Sequence, residues 1–364
     1  MTIGIGGAGS KLAAKLDPKT TVINVSDNEL HKVEAGKRIL AAVHTDRGQF
    51  RGSRKDPDIG KEAYQSIRRE LLSLSRGDVV FASTGGGTGN GIASALLEDI
   101  TDMDEVIGAD KTSFVFILPY PKLESTEFVN NTIAFLSKPL SQAIDKGNTG
   151  NIMLFSNKLK FENRIAEDVY NQMIVDSLKV FLAIPEKNAN LKMLDGHIDD
   201  EDFNLYKSRP FFNHFTYFDY SPAEPFEQQL AQNFNPLLLP PENSIEALFL
   251  LEVPAGWDAT IFYNILDYFS TLKVTPIYSV VENPELQRPF VTVSLLYSRK
   301  PAELLEDFND ISRMYAKEKV KKSVEQHVEL KATAVNLTTE AKKVVRARGG
   351  DEEILNVLKR LGKL

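Results

Sequence analysis

The chain has 364 residues, 42% of them apolar and 26% charged, with a formal net charge of −7. That is the composition of one large or two ordinary globular domains, not of a disordered or fibrous chain. The absence of cysteine excludes a disulfide scaffold, thiolate metal sites and a cysteine nucleophile, and no apolar run reaches the roughly 18 residues of a membrane-spanning helix. Because Met1-Thr2-Ile3-Gly4 leads straight into a strand pattern, no signal or transit peptide is expected, and the expected compartment is the cytoplasm.

Short apolar runs at residues 22–25, 79–82, 114–118 and 152–155 have the texture of strands buried on both faces. Helical stretches at 60–74 and 91–100 lie between them. This alternation predicts an α/β fold with a Rossmann-like parallel sheet. Residues 162–184 read as one long central helix of about 35 Å, with Ile165, Val169, Met173, Leu178 and Leu182 near helical spacing and Pro185 as its stop. A polar connector follows at 186–201. Strand patterns at 215–220, 247–253, 274–281 and 290–298, with a helix from near Asp258, predict a smaller second α/β domain. Pro301 is placed to open a long C-terminal helix through Arg346. Gly349-Gly350 interrupts it, and 351–364 is an amphipathic tail with Ile354, Leu355, Leu358 and Leu361 on one side. The expected divisions are 1–160, 161–185, 186–300 and 301–364.

Charge is spread unevenly. Residues 313–364 carry 13 Lys+Arg against 7 Asp+Glu, leaving 30 against 43 in residues 1–312. A basic end on an acidic body points to a negative partner: nucleic acid, a DNA-bound adaptor, or the body of a neighbouring copy. A solvated lysine-rich helix explains the same balance. Glu325, Glu329 and Glu340 dilute the basic residues and no aromatics interleave with them, which argues against direct DNA binding.

Two glycine-rich turns each follow a predicted strand and open a helix. In the first, Gly4-Ile5-Gly6-Gly7-Ala8-Gly9-Ser10, Gly4, Gly6 and Gly9 fit the dinucleotide spacing, and Asp27 stands where a ribose-binding acid would. A bare strand-to-helix turn explains that match equally well. The second is Gly85-Gly86-Gly87-Thr88-Gly89-Asn90-Gly91. Five glycines in seven positions cost considerable chain entropy, which favours a nest of backbone N–H groups around phosphate oxygens, with Thr88 adding a hydroxyl. Neither turn ends in Gly-Lys-Ser/Thr, so a Walker-type loop is excluded. The histidines, His31, His44, His197, His214 and His327, lack metal-ligand spacing.

The second turn closely resembles the Gly-Gly-Gly-Thr-Gly-Ser/Thr-Gly motif of the tubulin and FtsZ superfamily of filament-forming GTPases, and other pieces follow in that family's order over about residues 2–300. Residues 3–10 resemble its first phosphate loop, with Ser10 in place of the usual Asn. Ser26-Asp27 resembles the Thr-Asp of the second loop, and Lys55-Asp56-Pro57-Asp58-Ile59-Gly60 the third, which senses the terminal phosphate. Residues 119–124 resemble the ribose segment. There Glu124 matches the family acid, while Phe128 stands where division proteins carry Arg. Asn157 resembles the base-contacting Asn, and Tyr170 the aromatic that stacks on guanine, with Asn171 as a polar partner; Tyr170 also reads as a core aromatic. His197-Ile198-Asp199-Asp200-Glu201-Asp202-Phe203 resembles the loop that enters the next subunit's nucleotide site, with Asp199 and Asp202 matching its two acids. On its own, that stretch reads as a solvated turn.

The resemblance implies a tubulin-like GTPase domain joined by a long central helix to a smaller α/β domain. GTP or GDP would be bound by Gly6, Gly7, Ala8, Ser10, Asp27, Asp56, Gly85, Gly86, Gly87, Thr88, Gly89, Asn90, Glu124, Asn157, Tyr170 and Asn171. Mg²⁺ would be held by phosphate and water, with Asp27 or Asp56 acting through water and no direct side-chain ligand. Asp199 and Asp202 would polarise the attacking water across a head-to-tail contact between copies. The missing Arg and Asn point away from an ordinary division protein and toward the TubZ branch, which moves plasmid or phage DNA through a DNA-binding adaptor on its C-terminal tail. A division or phage-genome-positioning filament is the nearest alternative. An NAD-dependent oxidoreductase of Rossmann type would leave residues 85–91 and 197–203 without a role.

Overall fold

The computed structural model describes residues 2–45, 48–49, 52–103 and 110–298, with Asp310 and Arg313. The chain falls into two units, Met1–Asn309 and Asp310–Leu364. The helix expected from Pro301 and the tail at 351–364 lie, apart from Asp310 and Arg313, outside the described residues.

The first half contains β1 (Thr2–Ile5), α1 (Gly6–Leu16), β2 (Thr21–Asn24), α2 (Asp27–Leu30), β3 (Lys37–Leu40) and the short pair β4 (His44–Thr45) and β5 (Gly48–Gln49). Next come α3 (Pro57–Ser75), β6 (Val79–Ser83), α4 (Gly87–Asp102), β7 (Ser113–Leu118), α5 (Thr126–Phe135), α6 (Ser141–Lys146) and β8 (Ile152–Ser156). The predicted strands and helices are all present here, displaced by a few residues at most at their ends. Short α7 (Lys158–Glu162) leads to α8 (Glu167–Leu182), α9 (Ile184–Asn190), β9 (Lys192–Gly196) and α10 (Asp200–Lys207). Then follow β10 (Phe212–Asp219), α11 (Phe226–Gln232), β11 (Ser244–Val253), α12 (Tyr263–Thr271), β12 (Ile277–Glu282) and β13 (Phe290–Tyr297).

The expected single helix over 162–184 is corrected at both ends. Arg164 sits in the left-handed region at φ +54°, which breaks the chain between α7 and α8. Pro185 does not end the helical path. It occupies the first turn of α9, where its missing N–H has no helical partner to lose. The polar connector at 186–201 likewise contains α9 and the edge strand β9.

One sheet of eleven strands runs in the order β3-β2-β1-β6-β7-β8-β10-β13-β11-β12-β9. From β3 to β8 all neighbours are parallel. β8 meets β10 through a single parallel register pair, Ile152 with Phe212. Beyond it, β13 is antiparallel to both β10 and β11.

Alternation along the strands assigns each face a core. Val80 and Ala82 of β6 and Phe114, Phe116 and Leu118 of β7 join the α3–α5 side, with Tyr64, Ile67 and Leu96. Their neighbours Val79, Phe81, Val115 and Ile117 join Leu12, Tyr170, Ile174 and Phe181 on the α1 and α8 side. This two-faced burial is why the strands read as unbroken apolar runs. A third core, around Phe226, Phe249, Phe269 and Val280, lies under α11 and α12. Among the described residues, no helix is long and apolar enough to cross a membrane.

Candidate functional site

The strand-to-helix turns after β1 and β6 lie side by side, because both strands belong to the parallel sheet and pair directly. Gly6 is left-handed at φ +71°, and a Cβ on it would fall 2.9 Å from the Gly89 nitrogen, so the two turns touch. Each helix starts bare. The N-cap of α1 is Ile5 and that of α4 is Gly86; neither gives a side-chain hydrogen bond, and neither first turn holds an acid. By contrast, Ser26, Asp56, Ser125 and Asp199 cap α2, α3, α5 and α10. The orphan N–H groups and dipoles of α1 and α4 therefore point at one place. A cleft of about 430 Å³ opens there, bordered by Gly6, Gly7, Ala8, Gly86, Gly87, Thr88 and Gly89. Its size suits a small organic ligand.

The glycine-rich second turn is explained mostly by packing, which corrects the entropy argument for it. A Cβ on Gly91 would lie 2.0 Å from the Pro57 carbonyl oxygen, and one on Gly87 within 2.6 Å of the Asp56 backbone. These glycines let α3 and α4 approach closely, and Arg68 and the Tyr64 hydroxyl, both on Asp99, tie the pair together. Gly86 differs: nothing lies within 4 Å of its Cβ position, which faces open space at the cleft.

Side chains close the remaining walls. Glu124, Asn157, Lys160, Glu167 and Asn171 form one, Asn24 and Glu29 another, and Ser53, Arg54, Lys55 and Phe128 a third. Burial pushes the Glu124 carboxyl above the usual carboxylate range, opposed by the Tyr120 N–H, the Asn157 amide and Lys160. Glu167 is held below that range, mainly by a 2.7 Å hydrogen bond from the Lys11 ammonium. Glu29 accepts from the Asn24 amide at 2.7 Å and stands nearest to Gly7. Arg54 and Lys55 both have positive φ, a paired strain in the loop over the cleft. Lys55 reaches the Phe128 ring and, at 3.2 Å, Glu127.

Of the predicted nucleotide residues, Gly6, Gly7, Ala8, Gly86, Gly87, Thr88, Gly89, Glu124, Asn157 and Asn171 border this cleft. Ser10, Asp27, Asp56, Gly85, Asn90 and Tyr170 do not. The Ser10 hydroxyl is buried and donates to the Gly4 carbonyl. Asp27 is exposed and paired with His31 at 3.3 Å, and Asp56 is spent capping α3. Gly85 packs on Phe128. Asn90 is buried, its amide donating to the carbonyls of Thr84 and Asn131. Tyr170 takes the core alternative: it is 1% exposed, and its hydroxyl donates to the Ser156 carbonyl. The sequence reading passed over Asn24, Glu29, Lys160 and Glu167. Glu29, two residues after Asp27, was the nearest signal.

Helix α10, which Asp199 and Asp202 begin, packs at the end of the sheet away from the cleft, as two rulers show. The Lys207 carbonyl at the end of α10 accepts from the Ser113 hydroxyl at the start of β7, whereas the cleft touches Ile117, about 13 Å further along that strand. Helix α8 borders the cleft through Glu167 and Asn171, while Phe181, about 15 Å down its axis, packs on Phe203 of α10. Asp199 accepts from the Asp202 N–H at 2.8 Å, and Asp200, Glu201 and Asp202 fill the first turn. The Asp202 carboxylate has no hydrogen-bond or ion-pair partner among the described residues.

The model of the Tubulin/FtsZ family GTPase domain matches residues 12–145. No curated protein sequence matches the chain. Among solved structures it is similar to the GTPγS-form protofilament of TubZ from Bacillus thuringiensis serovar israelensis, with TM-score 0.69 and 13% identity over 88% of this chain and 93% of that one. It is also similar to CetZ2 from Haloferax volcanii, in a GTPγS-bound protofilament (TM-score 0.62, 17% identity, 87% and 98% covered). The FtsZ dimer of M. jannaschii gives TM-score 0.58 and 20% identity, with 81% and 87% covered. At these identities the structural likeness concerns the fold.

Proposed function

We propose that the chain, whose residues 12–145 match the GTPase-domain model of the Tubulin/FtsZ family, binds GTP in the cleft, stacks head to tail, and hydrolyses GTP at the contact between copies. The observation that carries this reading is the joint aim of two bare helix N-termini at one cleft, with the acids of α10 at the opposite end of the same sheet.

The chemistry follows from that arrangement. Phosphoryl transfer needs the phosphates held, their charge neutralised and a water placed in line. The N–H groups at Gly6–Ala8 and Gly87–Gly89 hold phosphate oxygens without reorganising. Mg²⁺, when bound, supplies neutralising charge. Such an ion would be carried in on the phosphates and supported through water. Glu29, beside Gly7, is the acid placed to hold it through water; Asp27 and Asp56 are turned elsewhere.

The water is the task of Asp202, with Asp199 fixing its helix start. Neither reaches its own cleft, so a second copy must present them. A contact between unlike surfaces of identical chains repeats into a filament when its rotation does not close. The basic residues 313–364 would then engage a DNA-binding adaptor, making the filament a cytoplasmic mover of plasmid or phage DNA. An oxidoreductase reading is weakened by Asp27, which pairs with His31 and leaves the cleft without its ribose acid.

Phosphate release from GTP and ATP, measured over a range of protein concentrations with pelleting in parallel, tests this. Turnover per chain should be near zero in dilute solution and rise with pelletable polymer. A turnover independent of concentration would remove the shared site, and an absence of binding to either nucleotide would remove the GTPase.

A further inference from the structure

Asparagine presents a carbonyl oxygen and an NH₂ group of nearly the same shape, so a partner must decide which of them faces a ligand. At Asn157 that partner is Glu124. The Asn157 amide nitrogen lies 3.1 Å and 3.3 Å from the two carboxylate oxygens of Glu124. An ionised carboxylate only accepts, so the NH₂ group must turn toward it. Both ends of the contact are fixed. Glu124 folds back within its own turn to accept from the Tyr120 N–H at 2.5 Å, and the Asn157 N–H donates to the Leu118 carbonyl at 3.0 Å. Both side chains border the cleft.

We propose that Glu124 is a positioning residue: it locks the Asn157 carboxamide with its carbonyl oxygen free for the cleft, and so makes that wall read a base edge that donates hydrogen bonds. This rests on the nucleotide reading of the cleft. The neighbouring acid points the same way, because Glu167, kept ionised by Lys11, is a second acceptor on this wall. A guanine edge offers adjacent N–H and NH₂ donors, whereas the ring nitrogen of adenine at the same place is an acceptor and would meet lone pairs. The carboxylate's surroundings add a pH response. Burial raises the Glu124 carboxyl, and Lys160 from α7 and the Tyr170 hydroxyl from α8 are the other titratable groups that face it. When Glu124 takes up a proton it becomes a donor, and the amide can turn over.

The test is the ratio of GTP to ATP affinity for the full chain, read by competition with a fluorescent nucleotide, in the wild type, Glu124→Gln and Asn157→Ala. Glutamine keeps the shape but lets the Asn157 amide take either orientation. The ratio should fall about tenfold in Glu124→Gln and by a similar factor in Asn157→Ala. In the wild type it should decline on acidification, and in Glu124→Gln it should stay flat. A ratio kept within about threefold in Glu124→Gln while Asn157→Ala loses it would overturn the positioning role, and so would a flat wild-type pH profile. An unchanged ratio in both variants would show that Asn157 does not read the base. Failure of the wild type to bind either nucleotide would strike the nucleotide reading itself. If Glu124→Gln does not fold, the wild-type pH profile decides alone.

Discussion

The starts of α1 and α4 and the start of α10 are one backbone device in two opposite states. At the cleft the helix starts carry no cap and no acid, and their N–H groups are left for something else to satisfy. At α10, Asp199 caps the helix and three further acids crowd its first turn. The first arrangement leaves positive potential waiting for an anion, while the second has neutralised its dipole and displays surplus carboxylate. The lesson is that a helix start marks a binding site only where the chain has declined to finish it. The ends differ in sign, and under the proposed head-to-tail stacking they would complement each other between copies.

The largest expected effect separates the two ends. Asp202→Ala should lower polymer-dependent GTP turnover by about a hundredfold or more while binding GTP normally. Mixing it with a chain whose cleft is disabled should restore turnover if the acids act between copies; no recovery in co-pelleted mixtures would break the comparison. At the cleft, Gly91→Ala forces a Cβ against the Pro57 carbonyl and should cost about 3 kcal/mol in urea unfolding. Gly86→Ala should leave stability within about 0.5 kcal/mol. It should still weaken GTP binding about tenfold, since the new methyl enters ligand space. Equal losses of stability in both would mean that Gly86 too is only a packing glycine.

Between the ends, beside the β8–β10 seam, the buried His214 donates from Nδ1 to the Leu239 carbonyl at 2.8 Å and accepts the Asn235 N–H at Nε2. Accepting at Nε2 requires the neutral ring, whereas the Nδ1 bond survives in either form, and burial lowers the pKa from 6.5 to about 4. A depressed folded pKa means that the unfolded chain takes the proton first. Stability is therefore complete above 6.5 and should fall by about 3 kcal/mol as pH drops toward 4, a slope that His214→Gln should flatten in unfolding titrations. The smallest effect tests the cap: Asp199→Ala should lose about 1 kcal/mol of stability, which Asp202→Ala should not.

The parallel half was readable because strands buried on both faces are unbroken apolar runs, as in Phe114, Val115 and Phe116. The edge strands were not. β3 reads Lys-Arg-Ile-Leu and β9 Lys-Met-Leu-Asp-Gly, and both are strands because a neighbour pairs with them. Pro185 was misread because one residue type serves both to stop a helix and to open the next. In the cleft, the motif residues came from turns that are continuous in sequence. Asn24, Glu29, Lys160 and Glu167 come from separate elements, and only the fold assembles them. Tyr170 shows the limit of register arguments, since one step on α8 separates the core from the Asn171 wall.

The placement of cleft and acids at opposite ends of one sheet has an arithmetic consequence. In a head-to-tail stack of n copies, as proposed, only n−1 clefts would face a neighbour's acids, so one terminal cleft would be left incomplete. The chain at that end would keep its nucleotide intact until another copy arrived, while every chain behind it would have begun to age. The two tips of such a filament would thus differ chemically without any marker beyond the order of arrival, and a pair of chains, which would complete one site of two, should turn over at half the per-chain rate of a long polymer.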